Sequence, residues 1–241
     1  MTMILVLLTG LFAGTLAGLV GFGGTTILLP ILTLQFGPKA AVPIMAIASV
    51  LGNFARLLAW WRVVRWQAVA AYSLPAIPSA WLGARTMLSL DSVVLEFTLG
   101  VFFLLMIPLR RWFSTAGMRI PLLGLACAGA GIGFLTGIVS NTGPINTPFF
   151  LAHGLTKGAF IGTEATASLM MFTSKVVAIR SGGALPIEII WNGLIVGGSL
   201  MIGTYVAARF LKSMDENTFR GLMDGLLLVA GVAMIASALM T

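Results

Sequence analysis

Apolar residues run through this chain in long stretches that short polar loops separate. Eight such segments can be drawn, over residues 3–36, 40–61, 66–88, 92–109, 120–153, 158–180, 186–208 and 217–240. A helix needs about 20 mainly apolar residues to cross a hydrocarbon core of about 30 Å. The runs do not alternate apolar and polar residues, as the strands of a membrane barrel do. The pattern predicts an all-α polytopic membrane protein without a domain outside the bilayer.

The first and fifth segments are longer than the rest, and helix-breaking residues interrupt both near the middle. The interruptions are "GFGGTT" (21–26) and "SNTGP" (140–144). The apolar residues that follow each interruption are too few to cross the bilayer a second time. We therefore expect each of these segments to enter the membrane, turn at glycine or proline, and leave on its own side.

The chain repeats its own pattern with an offset close to half its length. Gly10, Gly14 and Gly18 recur as Gly129, Gly133 and Gly137, and Gly83 recurs as Gly203. "ASVLGNFAR" (48–56) recurs as "ASLMMFTSK" (167–175), which matches Arg56 with Lys175. Two repeats are predicted, residues 1–116 and 117–241, each with one broken helix and three spanning helices. Small residues four apart let membrane helices approach closely, so the glycines predict tight helix pairs.

Basic residues in the loops distinguish two topologies. If every segment crosses once, they are nearly balanced between the two sides. If the first and fifth segments are hairpins and both termini lie outside, eight basic residues lie inside and three outside. The inside set is Arg62, Arg65, Arg110, Arg111, Arg119, Lys157, Arg209 and Lys212, and the outside set is Lys39, Arg85 and Arg180. The positive-inside rule favours the hairpins, which make the halves inverted-topology repeats with periplasmic termini.

Composition narrows the class of protein further. The chain is 59% hydrophobic and 9% charged, whereas soluble domains have about 25% charged residues. Its net charge of +7 lies mainly in the short loops, which is a topology signal and not a nucleic-acid surface. With one cysteine, one histidine and no hydrolase or metalloprotease motif, the chain is expected to be no enzyme and to hold no metal or cofactor.

The two interruptions are the first candidate site. Broken helices direct free N–H groups and positive dipole ends into the space between them, which favours anions. Polar side chains near the interruptions add donors. The candidate substrate-binding residues there are Gly23, Gly24, Thr25, Thr26, Asn141, Thr142, Gly143 and Asn146. The alternative is that these residues only cap the broken helices.

Charged and amide side chains inside the second and sixth segments are the second candidate. Asn53, Arg56 and Lys175 are predicted to bind or attract the anion; alternatively, Arg56 and Lys175 extend to the lipid headgroups. Glu164 and Asp224 are possible proton carriers, because burial favours the neutral carboxyl group. They are equally candidates for ion pairs with Arg56, Lys175 or Arg220.

The run "GLVGFGGTTILLP" (18–30) and its second copy resemble the sulfite exporter TauE/SafE family, also called the 4-toluene sulfonate uptake permease family. The matching motif residues are Gly21, Gly23, Gly24 and Pro30 in the first half, Gly143 and Pro148 in the second, and Lys157, Ala159 and Thr163 after it. Thr25, Val139, Asn141 and Thr142 replace motif glycines, and Glu164 stands where a serine is usual. The resemblance implies transport of sulfur-containing anions such as sulfite, sulfonates or sulfoacetate across a bacterial inner membrane.

These observations together predict a secondary transporter that works by alternating access at a site between two broken helices. Its partners would be a small anion, the lipid bilayer and a coupling ion, H⁺ or Na⁺, with no nucleic acid. An anion channel and a non-transporting membrane subunit are the alternatives.

Overall fold

A computed structural model describes residues 3–20, 24–115, 119–140, 142–155 and 157–210, together with residues 228 and 232. The described ranges are helical and contain no strand, which confirms the predicted all-α class. The helices are α1 Met3–Val20, α2 Gly24–Phe36, α3 Pro38–Trp60, α4 Trp66–Ser89, α5 Ser92–Thr115, α6 Leu122–Val139, α7 Gly143–Ala152, α8 Lys157–Ser181 and α9 Ile187–Phe210, with a 3₁₀ turn at Trp61–Val63. The predicted segment 217–240 lies outside the described residues, apart from 228 and 232.

The apolar helices support an integral membrane protein. Three stretches in the described part of the chain are long and apolar enough to span a bilayer: Pro38–Val63, Leu122–Val139 and Ile187–Ala207. The predicted segments agree with the helices except at the end of α5. That helix continues past residue 109 to Thr115, because Arg110 and Arg111 are good helix formers and no glycine or proline stops it there.

The second predicted interruption is present and separates α6 from α7. Residues 21–23 of the first, between α1 and α2, lie outside the described residues. α6 stops because Ser140 adopts the left-handed conformation, with φ of 56°, and Pro144 lies in the first turn of α7.

The ends of the second broken segment meet. The N–H of Ile120 donates to the carbonyl oxygen of Ala152 over 3.0 Å. The ring Nδ1 of His153 lies 2.7 Å from the carbonyl oxygen of Ile120. The end of α7 therefore lies beside the residues that precede α6.

The repeated glycines lie where helices of the two halves cross, as their spacing predicts. A Cβ atom on Gly133 of α6 would lie 2.6 Å from the carbonyl oxygen of Ala76 in α4. Corresponding close approaches join α6 to α4 and α1 to α9, at Gly10, Gly14, Gly83, Gly129, Gly137 and Gly203. α1 thus packs closely on α9, and α6 packs closely on α4.

Further contacts place the loops of the two halves at common ends of the bundle. The N–H of Arg65, just before α4, donates to Thr163 Oγ1 near the start of α8 over 2.9 Å. At the other end, a Cβ atom on Gly182 would lie 2.5 Å from Leu88 Cδ1. The α3–α4 connection therefore lies beside the start of α8, and the ends of α4 and α8 lie together.

Candidate functional site

A cavity lies between the first residues of α2 and α7, and α1, α3, α8 and α9 complete its wall. Its volume is about 50 Å³. A cavity needs about 10–15 Å³ by this measure to hold one water molecule, so this one has room for a few waters or one small ion.

Seven of the residues predicted for the site line this cavity. They are Gly24, Asn53, Arg56, Thr142, Gly143, Asn146 and Glu164. Thr25 and Thr26 follow Gly24 in the first turn of α2. Gly23, Asn141 and Asp224 lie outside the described residues. Lys175 is not among the lining residues.

Arg56 and Glu164 form a buried ion pair in the wall of the cavity. Arg56 Nη1 donates to Glu164 Oε2 over 2.9 Å, and Ser168 donates to the other carboxylate oxygen over 2.7 Å. Arg56 Nη2 also donates to Asn53 Oδ1, whose amide nitrogen donates to the carbonyl oxygen of Ser49. The pair carries no net charge, and these are the charged groups among the described lining residues. Glu164 is therefore a partner of Arg56, one of the roles its position predicts.

The snorkelling alternative is wrong for both matched basic residues. Arg56 is 8% exposed and Lys175 is 0% exposed, so neither side chain extends to the headgroups.

Lys175 caps the broken end of α6. Its ammonium donates to the carbonyl oxygens of Thr136 and Ile138 over 2.9 and 3.4 Å, and to Ser140 Oγ over 2.5 Å. The last carbonyl groups of a helix lack partners within it, and a cation there also opposes the negative end of the helix dipole.

The start of α7 offers fewer free N–H groups than the sequence suggests. Pro144 has none, and the N–H groups of Ile145 and Asn146 both donate to the carbonyl oxygen of Thr142. Within the first turn of α7, Gly143 is the remaining backbone donor. The Thr142 hydroxyl is hydrogen-bonded to Thr136 Oγ1 and makes no cap. Side chains therefore supply most of the polar wall on this side.

Asn146 is held in place from the neighbouring helix α4. Tyr72, which is 0% exposed, donates its hydroxyl to Asn146 Oδ1. The amide oxygen is thus occupied, which leaves the NH₂ group of Asn146 as its donor toward the cavity.

Three polar lining residues were not predicted: Ser49, Ser168 and Thr204. The repeat contained a signal for two of them, because the "AS" of residues 48–49 recurs at 167–168. Ser168 holds Glu164, and Thr204 donates to the carbonyl oxygens of Gly14 and Leu200. Ser49 Oγ is buried and has no hydrogen-bond partner in the described part of the chain.

The sequence model of the family described as "Sulfite exporter TauE/SafE" matches residues 6–234. The chain belongs to this family. The match covers nearly the whole sequence and so includes both broken helices and every helix that lines the cavity. No curated protein and no solved structure gives a significant match.

Membership of the TauE/SafE family makes this chain a membrane transporter. The motif residues now have positions in the fold. Gly24 and Pro30 lie in α2, and Gly143 and Pro148 lie in α7. Thr163 accepts the N–H of Arg65 and so joins the start of α8 to the start of α4.

Proposed function

We propose that this TauE/SafE protein is a secondary transporter that carries a small sulfur-containing anion through the cavity between its two broken helices. The observation that carries the proposal is the placement of Arg56 in that cavity, where helices of both halves converge. The guanidinium fork of arginine matches the planar spacing of oxyanion oxygens and keeps its charge when buried.

The other groups around Arg56 suit an oxyanion. Ser49 has a hydroxyl group without a partner, and Asn146 can donate through its NH₂ group. Gly24 and Gly143 let the backbone approach a ligand closely at the two helix starts. These neutral donors surround the Arg56–Glu164 pair, and they can hold a small anion that replaces Glu164 as the partner of Arg56.

Size favours the smallest members of the substrate class. A cavity with room for a few water molecules fits sulfite or a small sulfonate better than an aryl sulfonate. We therefore rank sulfite and small sulfonates above aryl sulfonates among the candidate substrates.

The packing supports two inverted repeats, 1–116 and 117–241, and alternating access between them. The pairing of α1 with α9 corresponds to that of α6 with α4, as a twofold relation between the halves requires. The hydrogen bond from Arg65 to Thr163 joins two ends that a topology of eight full crossings would place on opposite membrane faces. With a hairpin and three spanning helices per half, the second half starts from the opposite face.

The same topology puts the basic loops on the cytoplasmic side of a bacterial inner membrane and both termini in the periplasm. Transport is driven by an ion gradient, with H⁺ or Na⁺ as the coupling ion.

Flux in reconstituted vesicles tests the proposal. Purified protein in liposomes should take up labelled sulfite with saturation, and sulfite trapped inside should accelerate the uptake by counterflow. Arg56→Gln should reduce the flux by at least tenfold, whereas Arg85→Gln, an exposed arginine of α4, should not change it. Single-channel currents would show a channel instead, and folded protein that moves no anion would show a non-transporting subunit.

A further inference from the structure

We infer that the Arg56–Glu164 pair couples binding of the anion to uptake of one proton. The bound anion replaces Glu164 as the partner of Arg56, and Glu164 binds a proton from the solvent. This inference rests on the proposed transport function and names the coupling ion and the group that carries it. The resulting carrier is an anion–proton symporter, in which the two ligands bind with positive cooperativity.

Charge balance is the first argument. The described lining of the cavity contains one cation, Arg56, and one anion, Glu164, and both side chains are buried. A bound anion adds a second negative charge next to the carboxylate of Glu164. Uncompensated charge in a buried site is costly, and protonation of Glu164 restores neutrality. The loaded cavity then contains one arginine cation, one substrate anion and one neutral carboxylic acid.

The geometry of the carboxylate is the second argument. Oε2 accepts from Arg56 and Oε1 accepts from Ser168, so the two oxygens have separate donors. When Arg56 turns to the anion, Oε2 alone loses its donor. A proton on Oε2 turns that oxygen into a donor, which can bond to the bound anion, while Ser168 continues to hold Oε1. Arg56 keeps its contact with Asn53 on the other nitrogen of its fork.

Among the residues that the structure describes, few other titratable groups lie near Glu164. On the packed helices α3 and α4, Arg56 forms the ion pair and Tyr72 donates its hydroxyl to Asn146. The side chains of Lys39, Arg62, Arg65 and Arg85 are exposed, although the backbone of Arg65 bonds to Thr163. α7 contains no titratable side chain, and the one cysteine of α6, Cys127, is exposed. Lys175 lies three turns further along α8 and donates to α6. The exchange therefore centres on Arg56 and Glu164.

Proton uptake on binding is the measurement that tests the coupling. The probe is methanesulfonate, because it stays fully ionised across the working pH range and takes no proton itself. Titration calorimetry in two buffers of different ionisation enthalpy gives the number of protons taken up per anion bound. For the wild type we expect uptake of about one proton per anion bound. The Kd should rise about tenfold per pH unit over the pH range in which Glu164 is ionised in the unloaded protein.

Glu164→Gln mimics the protonated acid. This variant should bind methanesulfonate without proton uptake and with a Kd independent of pH. Two controls should retain the uptake of one proton: Glu96→Gln, a buried acid of α5 outside the cavity, and Glu188→Gln, an exposed acid of α9. Ser168→Ala removes the donor to Oε1. This variant should still take up one proton per anion bound, and the pH range over which its Kd changes should lie higher than in the wild type.

Binding by the wild type without proton uptake, or proton uptake that persists in Glu164→Gln, would overturn the coupling and leave the anion site intact. If neither protein binds methanesulfonate or transports sulfite, the proposed function is wrong and the coupling with it. If Glu164→Gln does not fold, the coupling is still tested by the number of protons that the wild type takes up and by the shift of the pH dependence in Ser168→Ala.

Discussion

Ser49 differs from the other polar side chains around the cavity. Arg56, Glu164 and Asn53 hold one another, and Asn146 is held by Tyr72. Ser49 Oγ is buried, and the described residues offer it no partner. A buried hydroxyl group without a hydrogen bond costs free energy that a ligand oxygen can recover. At the residue scale, Ser49 is therefore a polar residue of the cavity wall whose hydroxyl group has a hydrogen bond still to make.

Removing the hydroxyl of Ser49 should weaken anion binding without destabilising the protein. We expect Ser49→Ala to raise the Kd for sulfite about three- to tenfold, since one net hydrogen bond is worth about 0.5–1.5 kcal/mol. Its melting temperature without ligand should stay unchanged or rise. Ser73→Ala is the matched control, because Ser73 Oγ is also buried without a partner but lies outside the cavity. Equal affinities of the two variants for sulfite would exclude Ser49 from the site.

The second interruption gives another prediction at this scale. Asn141→Ala and Thr142→Val should each weaken binding of a sulfonate without unfolding the protein. For Thr142 the reason is its place in the cavity wall, and the stability cost is small because Thr136 Oγ1 keeps its bond to the carbonyl oxygen of Ile132. The control is Thr33→Val, a buried threonine of α2 away from the cavity. Calorimetric titration that finds unchanged affinity would remove these two residues from the site.

At the scale of elements, the way α6 ends determines the shape of the site. Ser140 adopts a left-handed conformation that residues other than glycine seldom adopt. Its hydroxyl oxygen accepts a hydrogen bond from the ammonium group of Lys175. The same ammonium donates to the carbonyl oxygen of Ile138 and to that of Thr136, which also accepts the N–H of Ser140. A broken helix inside a membrane must satisfy its backbone groups within the protein. A buried lysine is therefore part of what keeps this interruption in place.

Close packing of α6 on α4 should make its glycines intolerant of larger residues. Gly133→Ala should lower stability by about 1–3 kcal/mol, because the new Cβ atom would meet the backbone of Ala76 at van der Waals overlap. Gly131→Ala on the same helix has open space around its Cβ position and should raise stability by about 0.4–1 kcal/mol. Thermal unfolding in detergent measures both. Equal melting temperatures would contradict the packing of α6 on α4.

At the scale of the whole molecule, contacts between the halves form the cavity. α3 and the first part of α8 come together beside the starts of α2 and α7, and α1 and α9 close the wall. A ligand bound there touches both halves at once, so their relative movement would open it to one side or the other. The site therefore belongs to the assembled bundle and to neither half alone.

Accessibility of introduced cysteines tests the topology. In a Cys127→Ser background, Lys39→Cys should react with a membrane-impermeant maleimide in intact cells. Lys157→Cys should react only after the membrane is permeabilised, because the hairpin at α6 and α7 returns to the cytoplasmic face. If every segment crossed the membrane, both positions would be labelled in intact cells. That outcome would overturn the inverted repeats.

The sequence by itself determined the helical class, the ends of most described helices and the interruption between α6 and α7. These features depend on the hydropathy of each segment and on nearby glycine and proline residues, so they can be read without tertiary contacts. The repeated glycines, spaced four apart, also predicted close packing. The spacing that places small residues on one helix face is a property of the helix alone. Seven of the lining residues could be predicted for a similar reason, since glycine and polar residues at the interruptions, and charged or amide side chains inside apolar segments, stand out in this chain.

Only the tertiary structure decided how the polar residues pair. Arg56 and Lys175 occupy matching places in the repeat, yet Arg56 meets Glu164 across the cavity and Lys175 caps α6. Position 45, which corresponds to Glu164 in the first half, is a methionine, so Lys175 has no matching acid there. Pairing of this kind depends on which side chains the packing brings within about 3 Å, and residues 108 positions apart in the sequence carry no local sign of it. Ser49 became a site residue for the same reason, because a lack of partners is a property of the surroundings and not of the residue.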